Sequence, residues 1–275
     1  MKTLLMNFMI LLFTAVPVEA QLSVMSYNIK YANENDGENS WSQRKDHLAG
    51  QLKFYEPDIF GVQEALHSQL EFLKDELTGY EYFGKARDDG AQKGEFSAIF
   101  FKTEKFKLLE QGTFWLSSTP DKPGKGWDAD YPRVCTYGRF AEKETDKEFW
   151  VFNTHFDHVG KEARKESTQL IHQKIVELNR EGDPVILMGD LNLEPDTPEI
   201  EFLAAHYRDS KEEAGLVFGP EGTFNAYDFH SPVSRRIDYI FTTNIKVLKY
   251  AVLSDSKDLK YPSDHLPVLV QLELP

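Results

Sequence analysis

Apolar residues alternate with polar ones through LSVMSYNI, the pattern of a half-buried strand, and the run stops at Asn28. Ser40-Trp41 then opens a helical stretch, RKDHLAGQLKFYE, which Pro57 closes because the residue before a proline is pushed out of the helical region. DIFGVQ is a short apolar strand leading to Glu64, and HSQLEFLKDEL spaces Leu70, Leu73 and Leu77 at helical intervals before Gly79. YEYFG, FSAIFFK and FKLLEQGTFWL read as strands, the first two separated by a Gly-, Asp- and Lys-rich loop over 84–95. SSTPDKPGKGWDADYP, residues 117–132, is a long loop by composition, and such loops in compact domains are often functional.

RVCTYGRF and KEFWVFNTHF are expected to form a hairpin about Glu144 to Asp146. An amphipathic helix follows from about Lys161 to Arg180, with Leu170, Ile171, Ile175 and Leu178 on one side, and Gly182-Asp183-Pro184 ends it. VILMGDLNLEP comes next, a buried strand from Val185 to Met188 that runs into Asp190 and Asn192. A short helix, EIEFLAAHY, follows Pro198; after it a loop-rich region extends to Ser234, and RIDYIFTT, IKVLKYAVLS and LPVLVQLEL close the chain as strands. Strands outnumber helices, and hairpins mix with strand-helix-strand units. That order predicts two sheets packed face to face with helices outside, an α/β (α+β) arrangement, instead of a regular parallel sheet.

The first twenty residues break the pattern. MKTLLMNFMILLFTAVPVEA has a lysine, an apolar run from about Leu4 to Val16, and small residues before Gln21, which is the form of a secretory signal peptide cleaved near Ala20. The run is too short, and too interrupted by Asn7 and Thr14, for a transmembrane anchor, which needs roughly 20 apolar residues. The expectation is a secreted or periplasmic protein, one domain over 21–275, with no membrane span and monomeric. The single cysteine, Cys135, excludes an intramolecular disulfide and reads as a small buried hydrophobe. A net charge of -14 denies the chain a general attraction for nucleic acid, and poses the question of what neutralises its local carboxylate clusters.

A bound divalent cation is one answer, because the polar residues at the strand ends are of the types metal-assisted hydrolysis uses. They are Asn28 in SYNIK, Glu64 in GVQEAL, His155 and Asp157 in NTHFDH, Asp190 and Asn192 in GDLN, Asp238 in RIDYIF, and Asp264-His265 in SDHLP. Any one alone reads as a turn former; the set is the signal. Glu64 follows a run that should be buried, where a carboxylate needs a partner, and oxygen donors favour Mg²⁺ over Zn²⁺. Alternation places Asp190 and Asn192 on one side, places His155 with Asp157 and opposite His158, and sends Asp264 and His265 to different partners. Zinc in HFDH lacks the helical spacing it would want, and no Gly-x-Ser-x-Gly is present for a serine hydrolase.

SYNIK, GVQEAL, NTHFD, GDLN, RIDYIF and SDHLPV, in this order, resemble the endonuclease/exonuclease/phosphatase superfamily with its DNase I-like fold, over essentially the whole chain after the leader. The resemblance implies a four-layer αββα sandwich of two mixed sheets flanked by helices, with a Mg²⁺-dependent phosphoesterase site at one edge, Mn²⁺ or Ca²⁺ being substitutes. It implies metal ligation by Glu64 with Asn28 and support from Asp264. It makes Asp190 the residue that orients or deprotonates water, and Asn192 a phosphate-polarising partner. His265 would face the phosphate, held by Asp238, and His155 would donate to a phosphate oxygen or the leaving group. Lys30 stands where the apurinic-site endonuclease branch carries an acid, so that branch is disfavoured. Arg133 resembles an arginine that many secreted bacterial members place before this strand; it would contact phosphate or else form a surface salt bridge. A phosphodiesterase or phosphatase acting on a small or lipid-like phosphoester is thus expected, ahead of a DNase I-like nuclease and of a non-catalytic binding module. Trp127, in the long loop, would stack on a base or sugar, or simply pin the loop.

Overall fold

The computed structural model describes residues 21–275, so the leader expected over 1–20 lies outside the described residues. Strand β1 (Gln21–Asn28) ends where the alternation stops, and α1 (Trp41–Tyr55), β2 (Ile59–Ala65) and α2 (His67–Glu76) follow as the pattern predicts. β3 (Tyr80–Phe83), β4 (Phe96–Lys102) and β5 (Phe106–Trp115) precede the hairpin of β6 (Val134–Glu142) and β7 (Glu148–His155). Next come α3 (Lys161–Leu178), β8 (Val185–Asp190) and α4 (Pro198–His206). The segment read as loop-rich contains three short elements, β9 (Arg208–Asp209), α5 (Ser210–Glu213) and β10 (Leu216–Phe218). They are too short for periodicity to register, and pairing of β9 with β11 (Asp238–Thr243) and of β10 with β12 (Lys246–Val252) holds the strands in place. β13 (Val268–Glu273) closes the chain.

The strands form two sheets, in the orders β10-β12-β13-β1-β2-β4-β3 and β5-β6-β7-β8-β11-β9. Because side chains alternate across a strand, each sheet buries both faces. Val24, Ile59 and Ile99 of the first sheet meet Phe140, Val151, Ile186 and Ile240 of the second between the sheets. On the first sheet's outer face, Met25, Tyr27 and Phe60 pack with Leu48 and Leu52 of α1 and Leu70 and Leu73 of α2. On the second sheet's outer face, Trp150, Phe152, Leu187 and Phe241 pack with Ile171 and Ile175 of α3 and Ile200 and Leu203 of α4. Helix, sheet, sheet and helix stack as four layers, as the resemblance implies.

Strand direction then sets where chemistry can gather. β1 runs parallel to β2, and β7 parallel to β8, so the ends carrying Asn28, Glu64, His155 and Asp190 lie along one edge. The register places His155 opposite Asp190 and Asp190 opposite Asp238, three polar residues abreast on neighbouring strands. Gly189 makes this approach possible: its φ is +150°, and a Cβ there would sit 2.0 Å from the Thr154 carbonyl oxygen. Beneath the site a polar staple joins the sheets. Gln63 Nε2 donates to Asn153 Oδ1 (2.6 Å), while Asn153 Nδ2 donates to the carbonyls of Val62 (3.0 Å) and Ala98 (2.9 Å).

Gly61 leaves room for that staple, since a Cβ would fall 2.6 Å from Asn153 Cγ and 2.7 Å from Met188 Cε. Gly61→Ala is therefore expected to lower stability by about 1–3 kcal/mol, the usual cost of overpacking. The check is the urea midpoint at unchanged slope; a midpoint equal to wild type would mean that the sheets do not close on Asn153 in this way.

Candidate active site

The row formed by β7, β8 and β11 opens into a cavity of about 600 Å³ at the sheet edge. His265, from the loop before β13, is 4% exposed and sets its Nδ1 2.9 Å from Asp238 Oδ2, with Nε2 3.7 Å from Asp190 Oδ2. Burial alone would discharge the imidazole, but Asp238 and Asp190 outweigh it and push the pKa up to about 10, so His265 carries its proton. Asp190 is raised as well, to about 7, by burial and the neighbouring Asp238. Asp238 is oriented in turn by Thr223, whose hydroxyl donates to Oδ2 and accepts the backbone N–H groups of Ile237 and Asp238.

Facing the row are the ends of β1 and β2. Asn28 is fully buried and its Nδ2 bridges Glu64 Oε1 (3.1 Å) and Asp190 Oδ2 (2.9 Å). Glu64 sits where the β2–β4 register shifts, in the left-handed region at φ 61°, which turns its carboxylate out of the strand. Burial works to raise its pKa, yet Lys30, His265 and the Asn28 amide together hold it below the usual range. Lys30 Nζ lies 3.6 Å from Glu64 and 3.7 Å from Asp264. Asp264 and His265, adjacent in sequence, thus find different partners, as alternation predicts.

Arg44 buttresses this side. It is 4% exposed and spends its guanidinium on five carbonyls, those of Ile29, Lys30, Tyr31, Asn39 and Pro262. The loop after Asn28 and the loop before Asp264 are tied together by one side chain. Nothing in the sequence distinguishes it from a surface arginine on a helix.

Arg133 is not a surface salt bridge. It is 6% exposed, lines the cavity, and directs Nη1 to His155 Nδ1 (2.9 Å) and Nη2 to His158 Nδ1 (3.3 Å). Burial first, and Arg133 and Arg87 next, hold His155 well below the ordinary histidine range, so its ring is neutral. Both ring nitrogens face donors, since Asn192 Nδ2 lies 3.1 Å from Nε2, and a neutral imidazole accepts at only one. Arginine cannot give up its protons, whereas the Asn192 amide also donates to the Phe156 carbonyl (3.1 Å). His155 therefore accepts at Nδ1 and carries its proton on Nε2, which is 3.4 Å from Asp190 Oδ2.

Two expectations from alternation are corrected. β8 ends at Asp190, and Asn192 reaches the same cavity through a left-handed turn (φ 50°) in which its N–H bonds Asp190 Oδ1 (2.9 Å). β7 ends at His155, so alternation stops there: His158 lines the cavity with His155, while Asp157 turns away and accepts backbone N–H groups of Asp130, Tyr131, Val159 and Gly160. Asp157 thereby pins the long loop, and the aromatic that loop offers to the cavity is Tyr131, not Trp127. Arg87, Glu95, Phe224 and Arg235 also line the cavity. Composition singled out none of them, because they come from loops whose path only the tertiary structure fixes. Cys135 is buried in β6, where burial pushes its thiol pKa up, as a packing residue should be.

The donor chemistry fits a hard divalent cation. Glu64 and Asp264 offer carboxylate oxygens on one side of the cavity, with Lys30 Nζ beside both and Asn28 holding Glu64 through its amide, and burial raises the pKa of Asp264. Asp190, Asp238 and His265 also place ligand-type atoms within 4.8 Å of one another. In that trio His265 already spends Nδ1 on Asp238 Oδ2 (2.9 Å).

The Endonuclease/Exonuclease/phosphatase family matches residues 25–265. A family protein from Bacteroides thetaiotaomicron of known structure is 42% identical, with 93% of this chain and 98% of that one covered at a TM-score of 0.90. A mannosyl-6-phosphatase of the same species is 43% identical, covering 91% of this chain and 99% of that one at a TM-score of 0.88. The 3'-5'-exoribonuclease subunit Ccr4 of the CCR4-Not complex from Emericella nidulans is 24% identical over 200 residues, 62% of this chain and 29% of that one. The chain spans less than two thirds of the length of the curated relatives it matches. Since the matched residues run from β1 to His265 and take in every strand end described above, the chain belongs to the endonuclease/exonuclease/phosphatase family of phosphoester hydrolases.

Proposed function

We propose that this chain is an exported, Mg²⁺-dependent phosphatase acting on a phosphorylated sugar. The observation that carries a hydrolase reading is His265 held through Nδ1 by Asp238 beside Asp190, across from Asn28 and Glu64. A sugar phosphate is supported by the mannosyl-6-phosphatase, 43% identical over nearly its whole length. Charge favours it over nucleic acid. Each cation lining the cavity stands within ion-pair distance of a carboxylate: Lys30 with Glu64 and Asp264, Arg87 and Arg133 with Glu95, Arg235 with Glu194. Among the described residues, no cation lining the cavity is left unpaired to track a phosphate backbone. Among the described residues no helix is long and apolar enough to cross a membrane, and export rests on the leader-like first twenty residues.

Glu64 and Asn28 would hold the metal with Asp264 in support, and the ion when bound would neutralise charge growing on phosphate oxygens. The protein's own groups do the rest. His265 and Asn192 donate to phosphate oxygens, and Asp238 keeps His265 oriented through Nδ1. Asp190, as the carboxylate, takes the proton of the attacking water. His155, with its proton fixed on Nε2 by Arg133, donates a hydrogen bond to the leaving oxygen. Such preplaced donors act where charge develops and need no reorganisation.

Hydrolysis of mannose 6-phosphate by the chain from Gln21 onward should require a divalent ion. EDTA should abolish it and Mg²⁺ restore it; hydrolysis that survives EDTA sinks the metal assignment, and plasmid or RNA cleaved in place of sugar phosphate favours the nuclease reading. His265→Gln, which keeps a polar partner for Asp238 but removes the cation between two buried carboxylates, should lower kcat roughly 10²- to 10³-fold and should also lower the thermal midpoint, because the two acids lose their cation. Near-normal turnover would remove His265 from the mechanism.

The pH dependence follows from the two raised groups. Asp190 must be ionised to act as base, so kcat/KM should climb as pH rises to about 7. His265 must stay protonated, so it should fall as pH passes about 10. The two ionisations belong to the cluster as a whole, and the profile reports them jointly. A profile still rising above pH 10, or already level at pH 5, contradicts this charge assignment.

A further inference from the structure

The cavity extends beyond the groups that act on phosphate, and one of its walls has no part in the chemistry above. We infer that Tyr131, with Arg87 and Glu95, forms a subsite for the leaving alcohol, and that it is shaped for a hexose ring. This deepens the sugar-phosphate reading and rests on it.

Position comes first. His155 Nε2 is the donor assigned to the leaving oxygen, so the alcohol departs on the side of His155. On the Nδ1 side of the same ring, contacts run from Arg133 to His158 and Glu95 and from Glu95 to Arg87, and all four line the cavity that His155 lines. His158 stacks on Tyr131, with ring centroids 6.2 Å apart and planes inclined by 17°. The guanidinium of Arg87 lies 4.9 Å from the Tyr131 ring centroid. The wall is thus one continuous assembly that begins behind the His155 ring and lines the same cavity as the leaving-group donor.

Rigidity comes second. Tyr131 is 47% exposed, yet it is not free to wander. Its backbone N–H and that of Asp130 are held by the buried Asp157 carboxylate (3.3 and 3.1 Å). Two residues further back, Asp128 Oδ1 accepts the backbone N–H of Ala163 in the first turn of α3 (2.7 Å). An exposed aromatic ring fixed by so many contacts costs little to order when a ligand arrives. A ring that merely pinned its loop would be turned inward, as Trp115 is, buried with its indole N–H on the Arg87 carbonyl.

Chemistry comes third. A pyranose presents an apolar C–H face and a rim of hydroxyls. The Tyr131 ring suits the face. Arg87 and Glu95, hydrogen-bonded to each other, set donors beside acceptors and so match neighbouring hydroxyls, each of which both donates and accepts. A lipid tail would want an apolar floor on this wall, and the wall offers only charged and aromatic groups.

The test compares Tyr131→Ala, Tyr131→Phe and Glu95→Gln with wild type on mannose 6-phosphate, and measures in each the inhibition constant of inorganic phosphate, which reads the phosphate site alone. Tyr131→Ala should raise KM roughly 5- to 10-fold at little change in kcat, Tyr131→Phe should behave as wild type, and phosphate inhibition should not move. Glu95→Gln should also raise KM. An unchanged KM in Tyr131→Ala, or one that rises in step with the phosphate constant, overturns the subsite while leaving the phosphatase in place. Wild-type enzyme that hydrolyses other phosphoesters but no hexose phosphate overturns the sugar reading itself, and the subsite with it.

Discussion

Two carboxylates, Asp190 and Asp238, stand opposite each other on β8 and β11, each about 1% exposed, and the site depends on what makes that tolerable. Buried like charges of this kind are costly unless a cation joins them. His265 is that cation, and the same contact that stabilises the acids holds the imidazolium at the cavity. Stability and chemistry here are one interaction. The loop before β13 has to arrive at one place, and Ser263 helps secure it by donating to the Asn28 carbonyl (2.7 Å).

From that constraint the rest of the geometry follows. Asn28 bridges Asp190 to Glu64, so the first sheet is linked to the second through an amide at the rim as well as through Asn153 and Gln63 below it. Arg44 fixes the backbone on either side of the gap. Arg133, by filling Nδ1 of His155, decides which nitrogen bears the proton, and so turns a residue that would titrate freely in water into a fixed donor. Acid, donor and oriented imidazolium have their protonation set by neighbours, not by the values such groups have in water.

Much of this was legible in the chain. Strand and helix order came from periodicity, because buried faces of sheets and helices impose repeats of two and of 3.6 on the residues themselves. The strand-end residues Asn28, Glu64, His155, Asp190, Asn192, Asp238, Asp264 and His265 stood out because apolar runs stop at polar groups, and the structure gathers them at one edge. Alternation failed wherever a strand ended, at His155 and at Asp190. Beyond those points left-handed residues and turns, not the pleat, aim Asn192 and His158.

The sequence by itself determined the two packed sheets with helices outside and singled out the polar residues at the strand ends, since both are written in local patterns: which positions are apolar, and which residue interrupts them. Only the tertiary structure decided how protons are placed and what surrounds the candidate site. The state of His155 depends on Arg133, 22 residues away, that of Asp190 on Asp238 and His265, and the outer wall on loops from 84–95 and 117–132 meeting beside β7. Those are properties of distances between segments far apart in the chain, and no local pattern carries them.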